Sequence, residues 1–204
     1  MRASSHNELI DALWPEPPRA ADSALYALVS RLRRVVGTQR IEGRGELRLA
    51  LAEDAWIDIE AAHAAVHRAE SAAVHQDWPS TWVAARIAQH IAVRPLLPEA
   101  DTPWLEDRRR DLEGTYLRSL ELAAQASLGI GGGELNTAER TARLLIRRAP
   151  FRESGYRYLM EALAASGNAA EALNVYEMLR TLLRDELGAA PSSATQSLHR
   201  TLLN

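Results

Sequence analysis

The stretch Ser23–Leu51, SALYALVSRLRRVVGTQRIEGRGELRLAL, changes its hydrophobic period once, and this change indicates the fold of the N-terminal part. Before Gly37, apolar residues recur every three or four positions, at Leu25, Val29, Leu32 and Val36. This spacing is typical of an amphipathic helix. After Gly37, leucines alternate with other residues at positions 47, 49 and 51, and Gly43-Arg44-Gly45 supplies a turn. The stretch therefore predicts a helix and then a small β-hairpin with Arg44 at its tip.

Arginines follow the face of this predicted helix that lies opposite its leucines. Residues 19–48 contain seven Arg and three acidic residues, a net charge of +4, whereas the other 174 residues carry a net charge of −7. A solvated surface helix also has such a face, but the adjoining Gly-Arg-Gly turn and the local charge favour a helix that enters the major groove, where Arg bonds guanine. The candidate DNA contacts are Tyr26, Ala27, Ser30, Arg31, Arg33, Arg34 and Arg44.

A short helix is predicted just upstream. Ser5 and Glu8 have the spacing of a capping box, which predicts a helix from about His6 to Leu13. Prolines at 15, 17 and 18 end it. A helix, a proline-rich turn, an arginine-faced helix and a hairpin together fit the second half of a winged helix-turn-helix.

From Asp58 to the C-terminus every clear pattern is helical. Three apolar stripes are predicted to face a core: residues 59, 62, 66, 69 and 73; residues 83, 87 and 91; and residues 105, 112, 116, 120 and 124. Asn136-Thr137-Ala138-Glu139 is echoed 32 residues later by Asn168-Ala169-Ala170-Glu171. Each segment opens a helix, passes a proline (Pro150, Pro191) and enters another helix. A helical hairpin repeated at this length is typical of a tetratricopeptide-like stack.

The composition excludes several classes of chemistry. The chain has no Cys, and all 24 basic residues are Arg, which excludes disulfides, cysteine zinc sites, Walker A loops and Schiff-base enzymes. His63 and His67 have the spacing of metal ligands, but position 64 is Ala where a zincin has Glu, so we expect a surface pair. Gly129–Gly133 is interpreted as a flexible linker. We expect no enzyme, no cofactor and no metal, and, with no signal peptide or apolar run of membrane length, a cytoplasmic protein without a membrane partner.

An ordered set of short motifs resembles the SARP-type bacterial transcriptional activators, in which an OmpR-like winged helix precedes a bacterial transcriptional activator domain. The N-terminal motifs are Glu8–Trp14, Pro17-Pro18 and Leu28–Arg34. The C-terminal motifs are Arg94–Pro98, Trp104–Arg109, Leu159–Leu163, Ala170–Tyr176, Asp185–Gly188 and Pro191-Ser192. The resemblance covers nearly the whole chain.

The resemblance implies a mainly α fold, with a partial winged-helix DNA-binding domain over 1–52 and an all-α, tetratricopeptide-like activator domain over 53–204. It implies a recognition helix from about Ser23 to Val35 and a wing at Gly43–Gly45. The implied partners are double-stranded promoter DNA, RNA polymerase or another protein, and a second copy of the chain in a homodimer. About 30 to 40 residues of the usual winged helix are expected before Met1. The alternative is a protein-interaction module in which the truncated helix-turn-helix does not bind DNA.

Overall fold

The structure, a computed structural model, describes residues 3–52 and 54–204 and confirms the predicted fold class. The chain is mainly α-helical with a small antiparallel sheet. The N-terminal elements are β1 (Ser4–Ser5), α1 (His6–Leu13), α2 (Ala21–Val36), β2 (Ile41–Glu42) and β3 (Glu46–Leu49), with a 3-10 turn at Thr38–Arg40. The later helices are α3 (Asp58–Val74), α4 (Trp78–Ala92), α5 (Pro103–Ile130), α6 (Leu135–Arg148), α7 (Glu153–Ala165), α8 (Ala169–Leu187) and α9 (Ser193–Leu202).

The chain divides into two compact units. The first consists of the described residues up to 57 together with 95–111, and the second of 58–94 and 112–204. Segment 95–111 therefore groups with the N-terminal elements. The domain limits 1–52 and 53–204 stay a prediction.

In the first unit, α1 begins with the predicted capping box. The Glu8 amide donates to the Ser5 hydroxyl at 3.3 Å, and the Ser5 amide donates to the Glu8 carboxylate at 2.8 Å. The sheet has the order β1-β3-β2, and both pairs are antiparallel. The core of this unit is a small cluster formed by Ile10, Leu25, Val29 and Ile41.

The predicted apolar stripe of α2 is buried only over its first half. Leu25 and Val29 are buried, but Leu32 and Val36 are 49% and 42% exposed, so the stripe is not buried along its whole length. The physical reason is the size of the cluster. Among the described residues, the core that α1 and the hairpin form extends over the first turns of the helix only.

In the second unit, α3 and α4 pack closely through alanines. Ala62, Ala65 and Ala69 of α3 are fully buried, and α4 buries Ala84, Ala85 and Ala88. The stripe predicted for α4 was wrong at two positions, because Val83 and Ile87 are 54% and 43% exposed. Alanine side chains let the two backbones approach, and this approach turns the larger side chains outward.

The stripe of α5 is confirmed, since Leu105, Leu112, Tyr116, Leu120 and Ala124 are all buried.

The glycine run at 129–133 is only partly a connection. Gly129 belongs to α5 and lies against the indole ring of Trp78, where a Cβ atom would overlap the ring. Gly131 and Gly132 follow the helix with positive φ angles of 70° and 52°. The linker interpretation is therefore wrong for Gly129, which is a packing position.

The repeat of helical hairpins is present as α6–α7 and α8–α9, each with its proline in the connection. Glu153, the first residue of α7, ties the last helix to the unit. Its carboxylate accepts hydrogen bonds from the Ser192 amide at 3.0 Å, the Ser192 hydroxyl at 2.7 Å and the Thr195 hydroxyl at 2.5 Å. A carboxylate at a helix N-terminus accepts hydrogen bonds from the free N–H groups there, and its negative charge interacts favourably with the helix dipole.

Replacing Glu153 with Ala should loosen α9. The change leaves the Ser192 amide and the Thr195 hydroxyl without their acceptor, and we expect a loss of about 1–3 kcal/mol in the local stability of α9. Hydrogen exchange of the α9 amides measures this loss. The matched control is Glu177→Ala, which removes an exposed ion pair with Arg180 and should cost less than about 0.5 kcal/mol. Equal effects of the two changes would contradict the assignment.

The same contact predicts a pH dependence. Burial acts to raise the pKa of Glu153, but hydrogen bonds from Ser192 and Thr195 and the charge of Arg157 outweigh it and lower the pKa below its ordinary value. A lowered pKa means that the folded state favours the charged carboxylate. The stabilisation of α9 is thus complete at neutral pH. It is lost as the pH falls through and below the ordinary pKa of a glutamate side chain. In Glu153→Ala the exchange of the α9 amides should lack this acid-dependent loss of protection.

Candidate nucleic-acid interface

The exposed face of α2 presents most of the predicted DNA contacts. Tyr26, Ala27, Ser30, Arg31 and Arg34 are all exposed. The ring of Tyr26 packs edge-on against His6 of α1, with 4.9 Å between ring centroids. Among the described residues, Arg31 and Arg34 have no hydrogen-bond or ion-pair partner. Their guanidinium groups are therefore available to an anionic ligand.

Arg33 differs from the other arginines of α2 because the protein itself uses its donors. The side chain is half-buried, its Nε donates to the Ile41 carbonyl at 3.2 Å, and its Nη2 donates to the Gly43 carbonyl at 2.6 Å. Both acceptors belong to the hairpin. Arg33 thus joins α2 to the hairpin, and the geometry favours a positioning role for it over a direct contact with a ligand.

The hairpin tip holds Arg44 between two glycines. Gly43 has a φ of 89°, and a Cβ at this position would overlap the Glu46 carbonyl, so the turn requires glycine. Arg44 is exposed, and no described residue bonds its side chain. Across the hairpin, Arg48 forms an ion pair with Glu42 at 2.6 Å. Arg48 is therefore neutralised, while Arg44 is an uncompensated charge.

The structure thus brings six of the seven predicted residues to the exposed surface of α2 and the hairpin, and it gives the seventh, Arg33, partners inside the chain. Their assignment as DNA contacts stays a prediction. The positioning role of Arg33 could not be found from the sequence. Arginine spacing on a helix does not show which side chain reaches a backbone carbonyl ten residues further along the chain.

The other sequence candidates lie on other elements of the chain. His63 and His67 are exposed, and His67 lies 3.6 Å from Glu70. Within residues 3–52 and 54–204, no three metal-ligating side chains come together. In the run Arg108-Arg109-Arg110, the outer two residues pair with Asp111 and Asp107. Arg109 has a role that sequence reasoning missed, because it donates to the carbonyls of Leu96, Leu97 and Ala100.

No helix of the described residues combines the length and the apolar character that a membrane span requires.

Comparison with known proteins identifies the family. Residues 57–203 match the bacterial transcriptional activator domain, and because this match covers most of the chain, the chain belongs to that family. The resemblance to SARP-type activators is thereby confirmed.

The relatives are regulatory proteins. The chain is 35% identical to the regulatory protein AfsR of Streptomyces coelicolor over 99% of its own length and 20% of AfsR, and 30% identical to AfsR of Streptomyces griseus over 99% of its length and 21% of that protein. It is 27% identical to the transcriptional regulatory protein EmbR of Mycobacterium tuberculosis over 96% of its length and 52% of EmbR. The chain therefore spans about a fifth of AfsR and about half of EmbR.

A solved structure has the same fold. It contains Mycobacterium tuberculosis EmbR in complex with a low-affinity phosphopeptide, and it superposes with a TM-score of 0.89 at 22% identity, over 99% of this chain and 55% of that one. At this identity the likeness shows the fold alone.

Replacing Arg33 with Ala should loosen the hairpin. The change removes both bonds to the hairpin carbonyls, and we expect a loss of about 1–2 kcal/mol in local stability. Hydrogen exchange of the β2 and β3 amides detects the loss. The control is Arg31→Ala, which replaces an exposed and unpaired neighbour. It should change the local stability of the hairpin by less than about 0.5 kcal/mol. Unchanged hairpin protection in Arg33→Ala would show that the two bonds do not hold the hairpin.

Proposed function

We propose that the chain is the DNA-binding and activator part of a transcriptional regulator. In this proposal the first unit binds double-stranded promoter DNA through α2 and the hairpin, and the helical unit contacts a partner protein, RNA polymerase being the partner that the family resemblance implies. The role is one of binding and not of catalysis, and it belongs in the cytoplasm, where promoter DNA lies in a bacterium.

The observation that supports DNA binding is the set of three uncompensated arginines on adjoining exposed elements. Arg31 and Arg34 lie on α2 and Arg44 at the hairpin tip, and no described residue neutralises them. Phosphate contacts supply most of the affinity of such a surface, and contacts to base edges supply the specificity. Arg33 supports the proposal indirectly, because it holds the hairpin beside the helix so that both elements can act on one ligand.

The second candidate is a protein-interaction module whose N-terminal unit does not bind DNA. The observation that favours it is the exposed second half of the α2 stripe, since Leu32, Val35 and Val36 face solvent and would suit a protein contact. The two candidates differ in one measurable property, which is the affinity for duplex DNA at low salt.

Titration of duplex DNA at several salt concentrations tests the proposal. If Arg31, Arg34 and Arg44 each contact a phosphate, a plot of log K against log salt should have a slope of about −0.9 per contact, near −3 in total. The triple change to Ala should weaken binding and reduce the slope to near zero. Fluorescence anisotropy of a labelled promoter fragment measures both quantities and the number of chains bound per site.

The matched control for this titration is Arg180→Ala, which removes one arginine from the helical unit. Arg180 pairs with Glu177 on the surface of α8, and its loss should leave DNA binding unchanged. No binding at low salt would favour the interaction module. A slope that the triple change does not alter would place the DNA contacts elsewhere.

A further inference from the structure

Helix α4 presents an apolar ridge to solvent. Val83 and Ile87 are exposed while the alanines beside them are buried. They line a groove with a volume of about 380 Å³, together with Arg68, Pro79, Ser80 and Ala84. We call this the α3–α4 groove. Contiguous exposed apolar side chains on a folded unit mark a contact surface more often than isolated ones do.

The spacing of the ridge indicates the shape of its partner. Pro79, Val83 and Ile87 lie four residues apart and form a row along α4 that is about 12 Å long. On α3, Ala61, Ala64 and Ala72 share the helix face that carries Arg68, by helical spacing. A row at this spacing beside a shallow helix face is the surface into which the side chains of another helix pack.

The charge around the groove indicates the chemistry of that partner. Helix α4 contains no acidic residue. Among the described residues, Arg68 is the charged side chain that lines the groove, and it has no partner there. At the N-terminus of α4, the Asp77 carboxylate accepts a hydrogen bond from the Ser80 amide at 3.2 Å. The nearby carboxylate of Glu70 is already engaged by Arg118 at 2.8 Å. Arg68 is therefore a positive charge in the groove that no described residue compensates, and an acidic side chain would complement it.

A second groove on the helical unit has no unpaired arginine in its lining. It lies along α8, includes the exposed Met178 and has a volume of about 800 Å³. Its acidic residues Glu177 and Asp185 are paired with Arg180 and Arg184, each at 2.7 Å, whereas Glu186 has no partner among the described residues. This second groove therefore does not favour an acidic helix, and Met178 serves as a control position.

We propose that the α3–α4 groove binds an acidic amphipathic helix of a partner protein. The apolar side chains of that helix pack on Val83 and Ile87, and its carboxylates pair with Arg68. Duplex DNA is also anionic, but it would leave the apolar ridge facing phosphates, so the ridge favours a protein. The inference rests on the proposed function in assigning a partner contact to the helical unit, and it specifies the surface and the class of partner.

Two labelled synthetic helices of about five turns, or 18 residues, test the inference on the full chain without DNA. Both carry one leucine stripe at spacings of three and four; one has glutamates on its flanks and the other has lysines. Fluorescence anisotropy should show saturable binding of the glutamate peptide, and at least about tenfold weaker binding of the lysine peptide. Ile87→Asp and Arg68→Glu should each lower the affinity for the glutamate peptide about tenfold. Arg68→Glu should raise the affinity for the lysine peptide.

Met178→Asp is the matched control, because it places the same charge on an exposed apolar position of the other groove. It should leave both affinities unchanged, and circular dichroism should show the same helix content in every variant. The proposal is overturned if the glutamate peptide does not saturate, if the two peptides bind equally, or if Met178→Asp acts like Ile87→Asp.

A duplex DNA titration with the same variants separates this inference from the proposed function. If Ile87→Asp and Arg68→Glu weaken DNA binding and not peptide binding, the groove binds nucleic acid and the inference is wrong. If the chain binds the glutamate peptide in the expected pattern but binds no DNA at low salt, the DNA-binding proposal fails and the groove assignment stands.

Discussion

The arrangement of the helical unit depends on one buried carboxylate. Glu121 lies in the middle of α5 and is only 8% exposed. It accepts from Arg118 at 3.2 Å and from the Ser154 hydroxyl at 2.5 Å, and Arg152 lies 3.5 Å away. Arg118 also binds Glu70 of α3. A buried charge without partners would cost several kcal/mol, so this network favours a placement of α3, α5 and α7 that gives the Glu121 carboxylate its partners.

The sequence predicts helix ends better than helix faces, and α1 and α4 show why. The end of α1 depends on groups close in the chain, namely the capping box and the prolines that follow. The buried face of α4 depends on its neighbour in space. Val83, Ile87 and Ile91 form a stripe by local spacing, but α3 offers fully buried alanines, and close packing therefore selects Ala84, Ala85 and Ala88. A hydrophobic pattern weights large side chains, whereas interhelical distance is set by small ones. In α5 the buried positions hold the large residues, so the hydrophobic pattern and the packing select the same face.

The same limit applies to the candidate interface. The sequence predicts that arginines cluster on α2 and the hairpin, because charge and helical spacing are local properties. It does not predict which donors are already used. Arg33 and Arg48 have partners inside the chain, whereas Arg31, Arg34 and Arg44 do not. A long flexible side chain reaches several backbone positions, and the fold decides which carbonyl it meets. The useful quantity for recognition is therefore the uncompensated charge and not the number of arginines.

Uncompensated charge also explains how an acidic chain can carry two cationic surfaces. The residues outside 19–48 have a net charge of −7, and a uniform field of that sign would repel both DNA and an acidic helix. Salt limits the reach of such a field to about 8 Å at physiological ionic strength.

Within that distance the pairing of each carboxylate matters more than the net charge of the chain. Glu70, Glu121 and Glu177 are bound to arginines, so they contribute little field beyond their own pairs. The free guanidinium groups of α2, the hairpin tip and the α3–α4 groove then determine the local potential. Substitutions that break an ion pair elsewhere on the surface should therefore affect these two surfaces less than the loss of one unpaired arginine.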